Sequence, residues 1–273
     1  MSISFDRATA YYDATRGYPA GVEQGVADAI VTAAAATPTT RFLEMGIGTG
    51  RIAFPLITRG YMYTGIDLSE KMMALLRQKL SDYATAQPTA AVHANLLQGD
   101  VTQLPYADAS FDVALMVHVL HLIPNWRDAI SEALRVLVPG GVLLNGYDEA
   151  IQTSDARSVQ RQWFEILREL GYEAGGIGPA GFSNGNEVLA ELEARGLAPE
   201  KLRTITWSVA ESPQQAIEHI ANRQWSRTWS IPDDIFTASV ARLSQEAAAH
   251  FGDQLMVPKS REFQFVMLRV RKP

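Results

Sequence analysis

The chain has 273 residues, 47% of them apolar and 20% charged, with a formal net charge of −6. That suffices for one large α/β domain, or a domain with a sizeable insertion, and the acidic balance argues against a general nucleic-acid or anionic-membrane binder. There is no cysteine, which excludes disulfides, thiolate nucleophiles and cysteine metal sites together and fits a reducing compartment.

The opening segment MSISFDRATAYYD carries acids and has no apolar centre, so it does not read as a signal peptide. No apolar run approaches the length of a membrane span. A soluble, cytoplasmic protein is expected. Residues 42–45 predict a first strand, and residues 51–59 a helix after a glycine-rich turn. Residues 61–66 predict a second strand, followed by Ser69 as a cap for the helix containing MMALLRQKL. Residues 92–97 are a weaker strand ending at Gly99-Asp100. The run FDVALMV, 111–117, has the unbroken apolar character of a strand buried on both faces. Residues 129–137 predict a helix stopped by Pro139-Gly140-Gly141, and a fifth strand begins at 142–144.

Beyond residue 150 helical periodicity dominates, at 155–170, 187–195, 213–222 and 233–250, with one strand candidate at 203–209. The closing REFQFVMLRVRKP alternates as a late strand returning to the sheet edge. The expected organisation is a single domain: 1–150 a ligand-binding core with an N-terminal lid, 151–258 largely a substrate cap, 259–273 a closing edge strand. Strands alternating with helices imply a parallel sheet with right-handed crossovers, and ligands on such sheets sit beyond the carboxyl ends of the strands. The residues at those ends are Glu44 to Gly50, Asp67, Asp100, His118 and Tyr147-Asp148.

Gly46-Ile47-Gly48-Thr49-Gly50 lets the backbone turn tightly and approach a ligand where a Cβ would clash. The dinucleotide fingerprint is not met, because the third glycine falls one place early and Arg51 stands where it should be. Asp67 can accept hydrogen bonds from both hydroxyls of a ribose, or serve only as a helix-entry acid. Asp100 can accept from an adenine amino group, with Val101 or Leu68 against the ring, or can be a turn residue. The order of these elements is far less expected by chance than any one of them.

In that order, EMGIGTG, GIDLSEKM, GDVTQLPYADASFD and LRVLVPGGVLL resemble the successive motifs of class I S-adenosylmethionine-dependent methyltransferases. The similarity is closest to the small-molecule, type 11-like branch that opens with a YYD…R segment, here Tyr11 to Arg16. It covers roughly residues 5 to 148. It implies a Rossmann-like three-layer α/β sandwich with a mostly parallel seven-stranded sheet, the last strand antiparallel, and a helical cap insertion. It also implies S-adenosyl-L-methionine as cofactor. Glu44, hostile to a pyrophosphate, suits the ammonium of that molecule, which has no phosphate. The resemblance puts Gly46, Gly48 and Gly50 under the methionine part, Asp67 on the ribose and Asp100 on the adenine. It brings Tyr11 and Arg16 over the methionyl group, Arg16 as the carboxylate partner.

For chemistry, His118 and His121 follow the fourth strand three residues apart, so one helical turn would put them on one side. Either can take a proton from an acceptor hydroxyl or amine, or pack in the wall of the cofactor pocket. Tyr147 and Asp148 end the fifth strand, and Asp148 can bind a substrate amine or cap the strand. No metal site is expected. Trp207, Trp225 and Trp229 read as core or pocket wall, and GGIGPAG (175–181) as a linker or lid.

The expected function is methyl transfer by in-line displacement to a small-molecule acceptor, with no nucleic acid and no membrane as partner. The alternatives are a non-catalytic S-adenosylmethionine-binding module and an RNA methyltransferase using the Arg/Trp cap. A short-chain oxidoreductase would need Tyr-x-x-x-Lys, which is absent.

Overall fold

The computed structural model describes residues 5–151, 155–172 and 185–273. The glycine-rich stretch 175–181, read above as a linker or lid, lies outside the described residues. The strands are β1 (Arg41–Met45), β2 (Met62–Asp67), β3 (Ala94–Gln98), β4 (Phe111–Val117), β5 (Leu137–Ala150), β6 (Glu200–Glu211) and β7 (Lys259–Arg271). The helices are α1 (Tyr12–Arg16), α2 (Val22–Ala34), α3 (Ala53–Ile57), α4 (Glu70–Ala86), α5 (Trp126–Val136), α6 (Asp155–Glu169), α7 (Gly185–Ala194), α8 (Pro213–Ala221) and α9 (Asp233–Phe251).

Among the described residues the strands form one seven-stranded sheet in the order β3-β2-β1-β4-β5-β7-β6. β1 pairs in parallel with β2 and β4, β2 with β3, and β4 with β5. β7 runs against β5. Gly140 N–H donates to Lys272 O and Lys272 N–H to Gly141 O, whereas Ile151 N–H donates to Glu262 O. One strand's numbers rise as the other's fall. Strand order reverses between β1 and β4, so the crevice that receives a ligand in such sheets opens at their carboxyl ends.

The chain divides into two compact units. One comprises, among the described residues, 5–148, 185–205 and 265–273; the other 149–151, 155–172 and 206–264. In the first, side-chain alternation along β1 sends Leu43 and Met45 into a core shared with Trp126, Ile130 and Val136 of α5 and Val188 and Leu192 of α7. Phe42 and Glu44 point to the other face, where Phe42 stacks on Tyr63 of β2. α4 starts where Ser69 Oγ accepts the Met72 N–H, and buries Met72, Met73, Leu76 and Leu80 as one stripe. The second unit is a helical cluster. Val159, Trp163 and Leu167 of α6 meet Ile217 and Ile220 of α8 and Phe236 and Leu243 of α9. The indole of Trp163, fully buried, donates to Ser239 Oγ at 3.0 Å.

Four sequence expectations are corrected. The helix after the glycine turn is only Ala53–Ile57, because Arg51 and Ile52 are still in the turn. Pro139-Gly140-Gly141 does not separate helix from strand. It lies inside β5, where the register with β4 slips between Phe111↔Leu137 and Val113↔Val142, a bulge for which Gly140 adopts φ +77°. β7 is not the sheet edge: Phe265 to Leu268 are buried, as an interior strand requires, and β6 takes the edge. α7 and the first half of β6, assigned to the cap, belong to the sheet unit.

Candidate active site

The penultimate residue of β1 is Glu44, 2% exposed, whose Oε2 accepts a 2.6 Å hydrogen bond from the Tyr63 hydroxyl. Burial pushes the Glu44 carboxyl up to about 8, against the opposing effects of that hydrogen bond and of Arg51. A cation brought beside it would restore its charge. The chain then turns. Gly46 and Ile47 N–H both donate to Ile66 O, at 2.8 and 3.2 Å, and Gly50 N–H donates to Ile47 O at 2.9 Å.

The glycines of that turn differ in what they face. A Cβ on Gly46, at φ +85°, would lie 2.4 Å from Val119 Cγ2 and 2.9 Å from Val119 Cβ, and one on Gly50 would lie 2.3 Å from Leu76 Cδ1. On Gly48, at φ +53°, the nearest atom would be Met72 Cε at 3.9 Å. Gly46 and Gly50 are bare for packing; Gly48 has room for a Cβ with one ordinary contact. The Gly48 N–H donates to Asp67 Oδ2 at 2.9 Å, and the Ser69 N–H to Asp67 Oδ1 at 2.8 Å. Burial raises the Asp67 carboxyl, and these N–H groups draw it back. Each oxygen retains a lone pair for a further donor.

Asp100 is exposed, and its Oδ1 accepts from both Thr102 N–H (2.9 Å) and Thr102 Oγ1 (2.8 Å), the turn role weighed above. Val101 is buried in the core, whereas Leu68 exposes 38% of its surface. Of the two apolar candidates, only Leu68 presents a side chain to solvent.

The N-terminal segment is fastened beside the glycine turn by residues the motif reading did not select. Thr49 Oγ1 donates to Asp13 Oδ1 at 2.5 Å, Lys79 Nζ lies 2.6 Å from Asp13 Oδ2, and Lys79 also donates to Thr49 O at 2.9 Å. Ser69 Oγ donates to Asp6 Oδ1 at 2.5 Å. Arg51 Nη1 donates to Arg16 O at 2.7 Å. Arg16 is thus held at the turn by its carbonyl, and burial lowers its guanidinium below the ordinary arginine value. Tyr11 precedes α1, and its carbonyl accepts from Thr15 Oγ1 at 2.9 Å.

Of the catalytic candidates, His118 and Asp148 meet. Asp148 Oδ1 accepts from the Tyr18 hydroxyl at 3.0 Å, and its Oδ2 lies 2.9 Å from His118 Nε2 and 3.8 Å from Arg51 Nη1. Burial alone would raise this carboxyl; His118, Arg51 and Tyr18 outweigh it and hold Asp148 below the ordinary carboxylate value. Nε2 is buried against Oδ2. His118 takes φ +54°, a left-handed conformation uncommon outside glycine, at the end of β4. That backbone removes it from any helical turn shared with His121, which lies on the 3-10 turn Leu120–Leu122. Tyr147 points to the opposite face from Asp148, packing against the core with Lys201 Nζ 5.9 Å above its ring. Among the described residues no group of three or more His, Asp or Glu is placed to hold a metal ion.

The cap tryptophans are packing groups. Trp207 stacks on Phe263 with centroids 5.8 Å apart, Trp225 packs at the rim of the helical core, and Trp229 Nε1 donates to Arg223 O at 2.8 Å. No described helix is long and apolar enough to cross a membrane.

The parallel sheet reverses between β1 and β4, with a glycine turn after β1 and an acid near the carboxyl end of each of β1 and β2. The family model described as a methyltransferase domain matches residues 43–145. "27-O-demethylrifamycin SV methyltransferase" of Amycolatopsis mediterranei is 30% identical over 200 residues, spanning 69% of each chain. "Uncharacterized methyltransferase Rv3342" of Mycobacterium tuberculosis is 29% identical over 258 residues, spanning 92% of this chain and 88% of its own. The solved structure of YcgJ from Bacillus subtilis superposes with a TM-score of 0.56 at 20% identity, covering 90% of this chain and 97% of that one. The chain belongs to the class I S-adenosylmethionine-dependent methyltransferases.

Proposed function

We propose that the protein binds S-adenosyl-L-methionine across the carboxyl ends of β1 and β2, beside the β1–β4 crevice, and transfers its methyl group to a small-molecule acceptor. The observation that carries this reading is the donor set around Gly48: a buried acid without its charge, a bare backbone with room for a Cβ, and a second acid already oriented by two N–H groups. It fits a ligand with an ammonium and a ribose. Glu44 would hold the ammonium and Asp67 the ribose hydroxyls. Asp100 and Leu68 would flank the adenine, and Arg16 and Tyr11 would close over the methionyl carboxylate.

When bound, the cofactor supplies a methyl on a sulfonium, activated for in-line displacement. The protein's share is orientation, where holding the partners in line contributes up to about 7–11 kcal/mol, and a base if the nucleophile arrives protonated. With Nε2 turned to Asp148, His118 Nδ1 is the nitrogen left to take that proton, and Asp148 stabilises the imidazolium that forms. The named substrate of the Amycolatopsis relative supports an oxygen acceptor on a small molecule.

Calorimetric titration with S-adenosylmethionine and S-adenosylhomocysteine, with NADH as control, tests the cofactor. Asp67→Ala should weaken both sulfur nucleotides on the order of 100-fold, from two lost charge-assisted hydrogen bonds. Failure of either to bind the wild type, or preference for NADH, would remove the reading. The base is tested with whichever phenol or amine of a panel is methylated. There His118→Asn should lower turnover about 100-fold and leave S-adenosylhomocysteine affinity within a few-fold. Unchanged turnover would eliminate it.

A further inference from the structure

Tyr63 lies two strands' breadth from the chemistry and belongs to none of the motifs, yet its hydroxyl is the one side-chain partner of Glu44 seen among the described residues. The sheet brings them together: Tyr63 pairs with Phe42, two residues before Glu44 on the same face, and its ring is locked by stacking on Phe42 at 5.5 Å. The hydroxyl reaches Glu44 Oε2 at 2.6 Å, and no hydrogen bond to Oε1 is found among the described residues. Both side chains are buried, at 2% exposure for each residue. The charged or titratable groups facing Glu44 are Tyr63 on β2, Arg51 after the glycine turn and Asp67 at the end of β2. Tyr63 and Arg51 favour the carboxylate; burial and Asp67 oppose it. Burial, and then the Glu44 charge, hold the Tyr63 phenol well above its ordinary value, so it remains a donor throughout the neutral and mildly alkaline range.

We propose that Tyr63 is a positioning residue for the cofactor: its hydroxyl pins one Glu44 oxygen and leaves the other to the cofactor's ammonium. This rests on the cofactor reading above. The sign of the pH dependence follows from the chemistry. Below pH 8 Glu44 holds a proton in the free protein; the ammonium pairs only with the carboxylate; the proton leaves as the ligand enters. Affinity therefore rises with pH toward 8 through this group.

Tyr63→Phe removes the donor and keeps the stacked ring. Without the hydrogen bond the Glu44 titration moves about one pH unit higher. S-adenosylhomocysteine carries the same ammonium and is the probe. Relative to wild type, the variant should bind it about tenfold more weakly at pH 7 and only about twofold more weakly at pH 9. The ligand's own titration is common to both proteins and cancels in the ratio. Calorimetry at pH 7 in two buffers of different ionisation enthalpy should show wild type releasing about 0.9 proton on binding, and Glu44→Gln releasing none from this site. A thermal melt of each variant verifies folding, and the proton count on wild type stands even if Tyr63→Phe does not fold. A loss equal at both pH values, no loss, or no proton released would overturn the proposal while leaving the cofactor reading intact. No binding by wild type at either pH would remove the cofactor reading, and this proposal with it.

Discussion

Gly46→Ala is expected to cost about 2–4 kcal/mol of stability, from overpacking and a left-handed backbone imposed on alanine together. The new methyl would sit 2.9 Å from Val119 Cβ, an atom that no rotamer change can move. Gly48→Ala should behave differently. Its methyl meets nothing closer than 3.9 Å, so the loss is about 1–2 kcal/mol from the left-handed φ alone. Its effect should instead appear in cofactor affinity, at least tenfold weaker, because the methyl occupies the space the ligand would use. Urea unfolding and calorimetric titration of both variants separate the two. Equal stability losses would sink the distinction between a packing glycine and a ligand glycine.

Asp148→Ala should be the other large effect, about 3 kcal/mol, because it leaves the Arg51 guanidinium buried without the carboxylate on which Tyr18 and His118 also converge. The pH dependence has a definite sign. The Asp148 carboxyl is held below its ordinary value in the folded chain. Its stabilisation is therefore fully present above the unfolded carboxylate value, near pH 4, and is lost as pH falls through the folded value. In urea, the difference between wild type and variant should shrink as pH falls below about 4. A difference undiminished in that acid range would show that Asp148 is not the anion holding this cluster.

How far the sequence reveals these features depends on the separation of the partners. β4 reads correctly from six apolar residues in seven because a strand buried on both faces needs no partner to be recognised. Glu44, Gly48 and Asp67 fall within one β-turn-α-β span, and their spacing carries the information. Tyr18 and Asp148 are 130 positions apart, and only the folded chain joins them. Arg51 is visible in the sequence merely as a residue that spoils a dinucleotide fingerprint; its contacts to Arg16 and Asp148 depend on the N-terminal segment docking on the turn. Asp13 stands inside the YYD motif, yet nothing local predicts that Thr49 and Lys79 will hold it. The paired histidines illustrate the opposite error. Spacing alone suggested a shared helical face, and one left-handed residue undid it.

The insertion of β7 between β5 and β6 has a bearing on how the protein is made. On the ribosome β6 emerges well before β7, so for that interval it has no neighbour in the sheet to pair with. The sheet grows outward from β1 and β4 while its outermost strand waits, an exposed ribbon, for the later strand to slide in and join it to β5. Long-range pairings of this kind are slow to form and vulnerable to wrong partners. A nascent chain halted between β6 and β7 would thus carry β1 to β5 beside an unfinished sheet.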